Sequence, residues 1–198
     1  GQAYGADKAL AEQYRSTLDK WVKYLVECGE DPGEQLCTDD FAGHLAHNVN
    51  LSAKAIVGVE ALAQIKKLSG DEAAYADLHA KAAAMAAGWQ QRAFAGDHYL
   101  LAFGSEDTWS LKYNLVWDKV MHLGLLPDEF YSKETKSYLP RINRFGLPLD
   151  SRAPYSKTDW ILWTAAMAAE EEAVAAGFTP SIAYKPEPEI IPIVDDEG

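Results

Sequence analysis

Three features of this 198-residue sequence predict an all-α fold built from antiparallel helical hairpins. Apolar residues recur at steps of three and four over long windows, which is the spacing that lines one face of an α-helix. Alanine is abundant, as suits closely packed helices. Glycine and proline fall between the periodic stretches and mark short connections. A helical bundle and a segment of an α/α toroid both satisfy this pattern.

The first helix is expected from about Asp7 to Cys28, with Leu10, Tyr14, Leu18, Trp21, Leu25 and Cys28 on its inward stripe, and Asp31-Pro32-Gly33 stops it. A second is expected to follow the carboxylate pair Asp39-Asp40 and to run to Ser69-Gly70, where glycine is a common terminator. The third spans about Asp71 to Phe94 and opens with acids that suit the helix dipole. Gly96 to Gly104 reads as a short extended segment or hairpin arm. A fourth helix is expected from about Trp109 to Leu123 and a fifth from about Asp128 to Leu139, where Pro140 ends it. Gly146 to Tyr155 cannot continue a helix and reads as an ordered loop, and a sixth helix takes Lys157 to about Ala176. Beyond Gly177 prolines recur every few residues and the end is acidic. Residues 1–178 are therefore read as one domain, and residues 179–198 as an extended or disordered acidic tail.

A formal net charge of -12 with scattered Lys and Arg argues against nucleic acid as a partner, because phosphates are neutralised by clustered cations. Lys133, Lys136, Arg141 and Arg144 read as a solvated helix face. No stretch approaches the ~20 apolar residues that span a bilayer, and no N-terminal segment has signal-peptide anatomy, so no membrane partner is expected. Cys28 and Cys37 flank one loop. A disulfide would fit there, but two reduced thiols are the preferred reading.

Three groups of polar residues point to chemistry. The run from Thr38 to Ser52 places Asp39, Asp40, His44, His47, Asn48 and Asn50 at the start of an apolar helix, with His44, His47, Asn48 and Leu51 on one face. Buried polar groups cost free energy unless paired or used. The alternative is that one of the aspartates caps the helix. His-x-x-His alone is not a zinc signature, so no metal and no cofactor are expected. The second group is Trp109, Lys112, Tyr113, Asn114, Trp117 and Asp118. On a helix its aromatic stripe would suit a pocket wall, and, taken alone, a core stripe is the preferred account. The third is Asp150 and Arg152, then Lys157, Asp159 and Trp160, where Arg152 either pairs with Asp150 or presents its fork to a substrate carboxylate. Ser156 or Thr158 is expected to cap the last helix.

The three groups together resemble one family. Cys37-Thr38-Asp39-Asp40-Phe41-Ala42-Gly43-His44-Leu45-Ala46-His47-Asn48-Val49-Asn50, then Tyr113-Asn114-Leu115-Val116-Trp117-Asp118-Lys119, Gly146-Leu147-Pro148-Leu149-Asp150-Ser151-Arg152 and Tyr155-Ser156-Lys157-Thr158-Asp159-Trp160 are similar to the glutaminase A-like proteins of bacteria and fungi. The likeness covers about residues 10 to 170. It implies a catalytic domain like the six-hairpin (α/α)6 glycosidase toroids. Twelve helices of about 30 residues would need roughly twice this length, so about half a toroid is expected, as a fragment or with a replaced C-terminus.

The resemblance further implies a hydrolase acting on the side-chain amide of L-glutamine, and a secreted or periplasmic parent. Asp39, Asp40, Asp118 and Asp159 are the implied acids and bases. His44, His47, Asn48, Asn50, Trp109, Lys112, Tyr113, Asn114, Trp117, Arg152, Lys157 and Trp160 are the implied substrate contacts. Two alternatives stay open: a glycoside hydrolase with paired carboxylates, and a non-catalytic carbohydrate- or protein-binding piece. The expected partners are a small substrate, amino acid amide or sugar, and another chain or a second copy over the open toroid edge. The isolated chain is expected to have little or no activity.

Overall fold

The longest helices lie where apolar periodicity is least interrupted. The computed structural model describes residues 8–37 and 42–168. It contains the α-helices α1 (Lys8–Gln13), α2 (Arg15–Cys28), α3 (Val49–Leu68), α4 (Glu72–Ala93), α5 (Val116–Val120), α6 (Asp128–Tyr138) and α7 (Thr158–Ala165). Short 3-10 turns occupy Tyr113–Leu115 and Leu139–Arg141. Among the described residues the extended pairings are isolated bridges rather than a sheet. No helix there is long and apolar enough to cross a membrane. The mainly helical class is the one the sequence predicts.

α3 is the central element. Its buried positions run from Val49 through Lys66 and include Ala53, Ile56, Val57, Val59, Leu62 and Ala63, so neighbours must cover it on several sides. α4 returns antiparallel beside it after the turn at Gly70, whose φ of 82° suits a residue without Cβ. Asp71 caps α4 by accepting from the Ala74 N–H at 3.1 Å. Buried Ala82 and Ala86 leave room for close approach, and Trp89 fills the hairpin's far end. Its indole Nε1 donates to the Val49 carbonyl at 2.8 Å, and its ring stacks on Tyr99 with centroids 5.4 Å apart. On the other flank α2 crosses near Gly29, where an added Cβ would lie 2.4 Å from the Leu25 carbonyl oxygen and 2.6 Å from the Ala55 Cβ.

A second, smaller apolar cluster joins Leu111 and Tyr113, which precede α5, with Tyr138 of α6, Leu147 and Leu149 of the following loop, and Trp160 and Ile161 of α7. Trp163 packs against both clusters.

Several expected boundaries move. The first helix is broken at Tyr14, and only part of its stripe is inward: Leu18 and Leu25 pack against the core beside the buried Val22, while Trp21 is 64% exposed and Leu10, Tyr14 and Cys28 are exposed too. The second helix starts at Val49, because Gly43 and His47 both take positive φ and turn the chain before it. His44 and His47 therefore precede the helix instead of sharing a face with Leu51, and its cap is Asn48, not either aspartate. The fourth helix shrinks to α5 and the preceding 3-10 turn. Residues 109–112 pair with the 149–151 loop instead, through Leu111 N–H to the Leu149 carbonyl and Ser151 N–H to the Trp109 carbonyl. The stripe of Trp109, Lys112, Tyr113 and Trp117 thus does not form on a helix. α7 begins after Lys157 without a side-chain cap, so neither Ser156 nor Thr158 caps it. The rest of the expected sixth helix and the acidic tail lie outside the described residues. Cys28 and Cys37 are not joined in a disulfide, and the Cys37 Sγ donates to the Leu45 carbonyl at 3.5 Å.

Candidate functional site

Loops gather at the N-terminal end of α3, because the 95–112 and 146–157 segments find their backbone partners there or with one another. Val49 N–H donates to the Leu101 carbonyl at 2.9 Å and Phe103 N–H to the His47 carbonyl at 2.9 Å. Asn48 caps α3 with its Oδ1 on the Leu51 N–H at 2.8 Å. Asn48 and Asn50 are almost fully buried, yet Asn48 Nδ2 and Asn50 Oδ1 lack a hydrogen-bond partner among the described residues. A buried amide half left in this way is costly and is commonly put to use. The Asn50 carbonyl receives Asn114 Nδ2 at 3.4 Å, which ties the second polar group to the first.

Lys112 is the most unusual side chain. It is completely buried, and its Nζ donates to the Ser110 carbonyl (2.7 Å), the Ser110 Oγ (3.0 Å) and the Tyr99 carbonyl (3.1 Å), with Glu134 Oε1 at 3.5 Å. Glu134 in turn accepts from Tyr138 Oη at 2.9 Å and from the Tyr99 N–H at 3.2 Å. Burial pushes the Lys112 ammonium down to about 8 against the opposing pull of Glu134. Burial likewise raises the Glu134 carboxyl above its ordinary range, with Lys112 pulling the other way. For both partners desolvation outweighs attraction, so the pair specifies where the 99–112 segment sits rather than adding much net stability.

Asp150 and Arg152 form a second clasp. Arg152 donates from Nε to Asp150 Oδ1 at 3.0 Å and from NH2 to Oδ2 at 2.6 Å, a two-point fork on a carboxylate that is itself buried. Its NH1 reaches the Ala42 carbonyl at 3.4 Å, the first described residue after the aspartate pair. The ion-pair reading of Arg152 is therefore the observed one. Beside it Tyr113 and Trp160 stack with centroids 4.3 Å apart and planes within 3°, and Lys157 Nζ lies 4.9 Å from the Trp160 centroid.

The other expected site residues are spread more widely. Asp39 and Asp40 lie outside the described residues. His44 pairs by its backbone with Leu36 and is exposed. His47, at φ 60°, places Nδ1 2.8 Å from Asp31 Oδ1 on the surface. Asp118 is buried and accepts from the Leu125 and Leu126 N–H groups and the Tyr131 hydroxyl, so it clasps the turn that follows α5. Burial, reinforced by Asp118, holds the Tyr131 hydroxyl well above its ordinary value, which keeps it a donor. Asp159 is exposed in the first turn of α7. Trp117 is 42% exposed and meets Trp163 edge-on, while Trp109 leans on Tyr138 under the Arg141 guanidinium. Glu134 and Tyr138 were not foreseen. Their four-residue spacing, on the same face of α6 as Phe130, is the signal that points them inward.

A buried helical hairpin whose leading end carries a layer of polar-stitched loops defines a helical-hairpin domain. The chain belongs to the glutaminase A family: the model of the Glutaminase A six helical-hairpin domain matches residues 2–185. It is 38% identical over 168 residues to "Glutaminase A" of Aspergillus oryzae, covering 83% of this chain and 24% of that protein. It is 30% identical over 191 residues to a protein named "Probable glutaminase" of Arthroderma benhamiae, covering 82% of this chain and 22% of the relative. The chain thus spans less than a quarter of the length of the curated relatives it matches.

Proposed function

We propose that this chain supplies one wall of the cleft of a hydrolase that converts the side-chain amide of L-glutamine to a carboxylate and ammonia. The observation that carries the reading is the 38% identity to a protein named Glutaminase A. Hydrolysis of an amide needs a base to activate water and donors aimed at the developing oxyanion. In this reading Asp39 and Asp40 provide the acid and base, and Asn48, Asn50, Tyr113 and Asn114 form the polar wall that the substrate meets. The half-satisfied amides of Asn48 and Asn50 support that assignment, since each has a buried polar atom still to be matched. Lys112 and Arg152 act one step back. Their donors are already engaged by Ser110, Tyr99 and Asp150, so they hold the wall in place.

The test is to incubate the full-length parent, with this chain alone beside it, with L-glutamine and, separately, with a panel of glycosides, measuring ammonia and reducing sugar, for the parent of natural sequence and for its Asp39→Asn and Asp40→Asn variants. Ammonia release that falls at least a hundredfold in one of the aspartate variants is the expected result. From the parent, reducing sugar without ammonia overturns it in favour of a glycosidase, and neither product overturns it in favour of binding.

A further inference from the structure

α2 carries two apolar stripes, and only one of them meets the core. Leu18, Val22 and Leu25 pack inward. The second stripe lies in solvent: Tyr14 at the N-cap position is 50% exposed, Trp21 64% and Tyr24 58%, and Cys28 at the last turn is exposed too. With the half-buried Thr17 these residues stand at 14, 17, 21, 24 and 28. Steps of three, four, three and four are the 3.5-residue repeat that joins two helices along a seam, and a helix packed on its own core has no need of it. The seam opens onto a groove of about 290 Å³ between α2 and α3, lined by Tyr24, Leu25, Cys28 and Leu51, with Gln35 and Lys54 among its polar side chains.

The charges beside the seam select its occupant. Lys20 and Glu27, one heptad apart, flank it on the side away from the core. Lys20 has no ion-pair partner among the described residues, and Glu27 has the exposed Lys23 at 3.9 Å. When the seam is laid antiparallel on a second copy, about a twofold axis between residues 22 and 23, Trp21 meets the partner's Tyr24 and Thr17 meets the partner's Cys28. Symmetry repeats each contact, as a closed two-copy interface requires. The same register brings Lys20 to the partner's Glu27 and Glu27 to the partner's Lys20. In a parallel pair Lys20 would face the partner's Leu25 and find no acid. The face is therefore complementary to itself in one orientation.

We propose that the exposed seam of α2 is a dimer interface, occupied by α2 of a second copy in antiparallel register. Trp21 and Tyr24 are its central contacts, the residue types that carry most energy at interfaces, and Lys20 with Glu27 sets the orientation. The interface stands apart from the loop layer at the start of α3 and does not depend on which substrate that layer takes.

Disulfide trapping tests both the occupant and its direction. Positions 17 and 28 of one helix stand about 16 Å apart, too far for a disulfide, so a link between them joins two copies. The full-length parent carrying Thr17→Cys is oxidised mildly at high micromolar concentration, and its linked peptides are mapped by mass spectrometry. The expected product joins position 17 of one copy to Cys28 of the other. Links of 17 to 17 or of 28 to 28 would mean a parallel pair, and a monomeric parent without such links would leave the seam to something other than a second copy. Either outcome overturns the proposal. Sedimentation gives an independent reading. Trp21→Ser should weaken dimerisation at least tenfold, with an unchanged circular dichroism spectrum because the ring lies in solvent. Lys20→Glu should weaken it about threefold and the added Glu27→Lys should restore it. A double variant no tighter than the single one counts against the antiparallel register.

Discussion

The α3–α4 hairpin and the loop layer at its leading end are held by different forces. The hairpin is closed by apolar area: Trp89, Met85, Ala82, Ile56 and Val59 are shielded from water, and the polar Glu60 is accommodated by Gln64 at 2.6 Å and His79 at 2.9 Å. The loop layer has a small apolar cluster and depends on directed contacts: Lys112 on three oxygens, Glu134 on Tyr138, and Asp150 on Arg152. Apolar burial is non-directional, whereas a fork or a buried ammonium needs its partners in particular directions. A scaffold of the first kind carries a layer of the second kind whose positions are set by directed contacts.

The comparison breaks most visibly at Trp89. Trp89→Ala removes the stack on Tyr99 and the bond to Val49, and it should cost about 3–5 kcal/mol, read as a lower urea midpoint for the whole transition. Glu134→Ala leaves a buried ammonium without its carboxylate and should cost about 3 kcal/mol. Lys112→Met combined with Glu134→Leu should cost clearly less than that single change, and a double variant at least as unstable as Glu134→Ala would contradict the view that the pair serves placement over stability.

The same pair has a pH signature. A lysine held at about 8 when folded and near 10.5 when unfolded binds fewer protons in the folded state between those values, so its contribution makes stability rise as pH climbs from about 8 to 10.5. Denaturation curves of the natural sequence and of Lys112→Met, compared across that window, should differ in slope with this sign. A smaller effect is expected from Arg152→Ala, about 1–2 kcal/mol, seen mainly as faster proteolysis within residues 142–157. Smallest is the cap of α4: Asp71→Ala should cost about 1 kcal/mol, and Asp71→Asn, which keeps the cap and loses only the exposed Arg15 pair, a few tenths.

The two regions also differ in how far their sequence discloses them. α3 and α4 end within a residue or two of expectation, because Gly70 and Asp71 are local signals for a local event. α6 and the 146–155 loop follow for the same reason, with Pro140 and Pro148 as punctuation. The segment from Trp109 to Lys112 reads as helix by spacing and is extended in the protein, because its backbone is claimed by Leu149 and Ser151, some 40 residues later. Helical spacing in α2 likewise suggests a buried stripe, yet α3 turns towards Val22 and leaves Trp21 in solvent. At the site, Asn48, Asn50, Asn114 and Arg152 were legible as polar residues from their type alone. The partner of Lys112 was not, since nothing near Glu134 in sequence marks it as the acid that faces a lysine 22 residues earlier.

The bond from Arg152 to the Ala42 carbonyl closes a loop of 110 residues, whereas Trp89 and Val49 are only 40 apart and His79 and Glu60 only 19. Closing long loops costs entropy that short-range pairs do not incur, and contacts remote in sequence form later. The hairpin is therefore expected to form first, and the loop layer that carries the proposed polar wall to assemble later and to open sooner. In hydrogen exchange the amides of Leu111 and Ser151 should lose protection before those in the middle of α3, so brief excursions would unmake the wall while the scaffold stays intact.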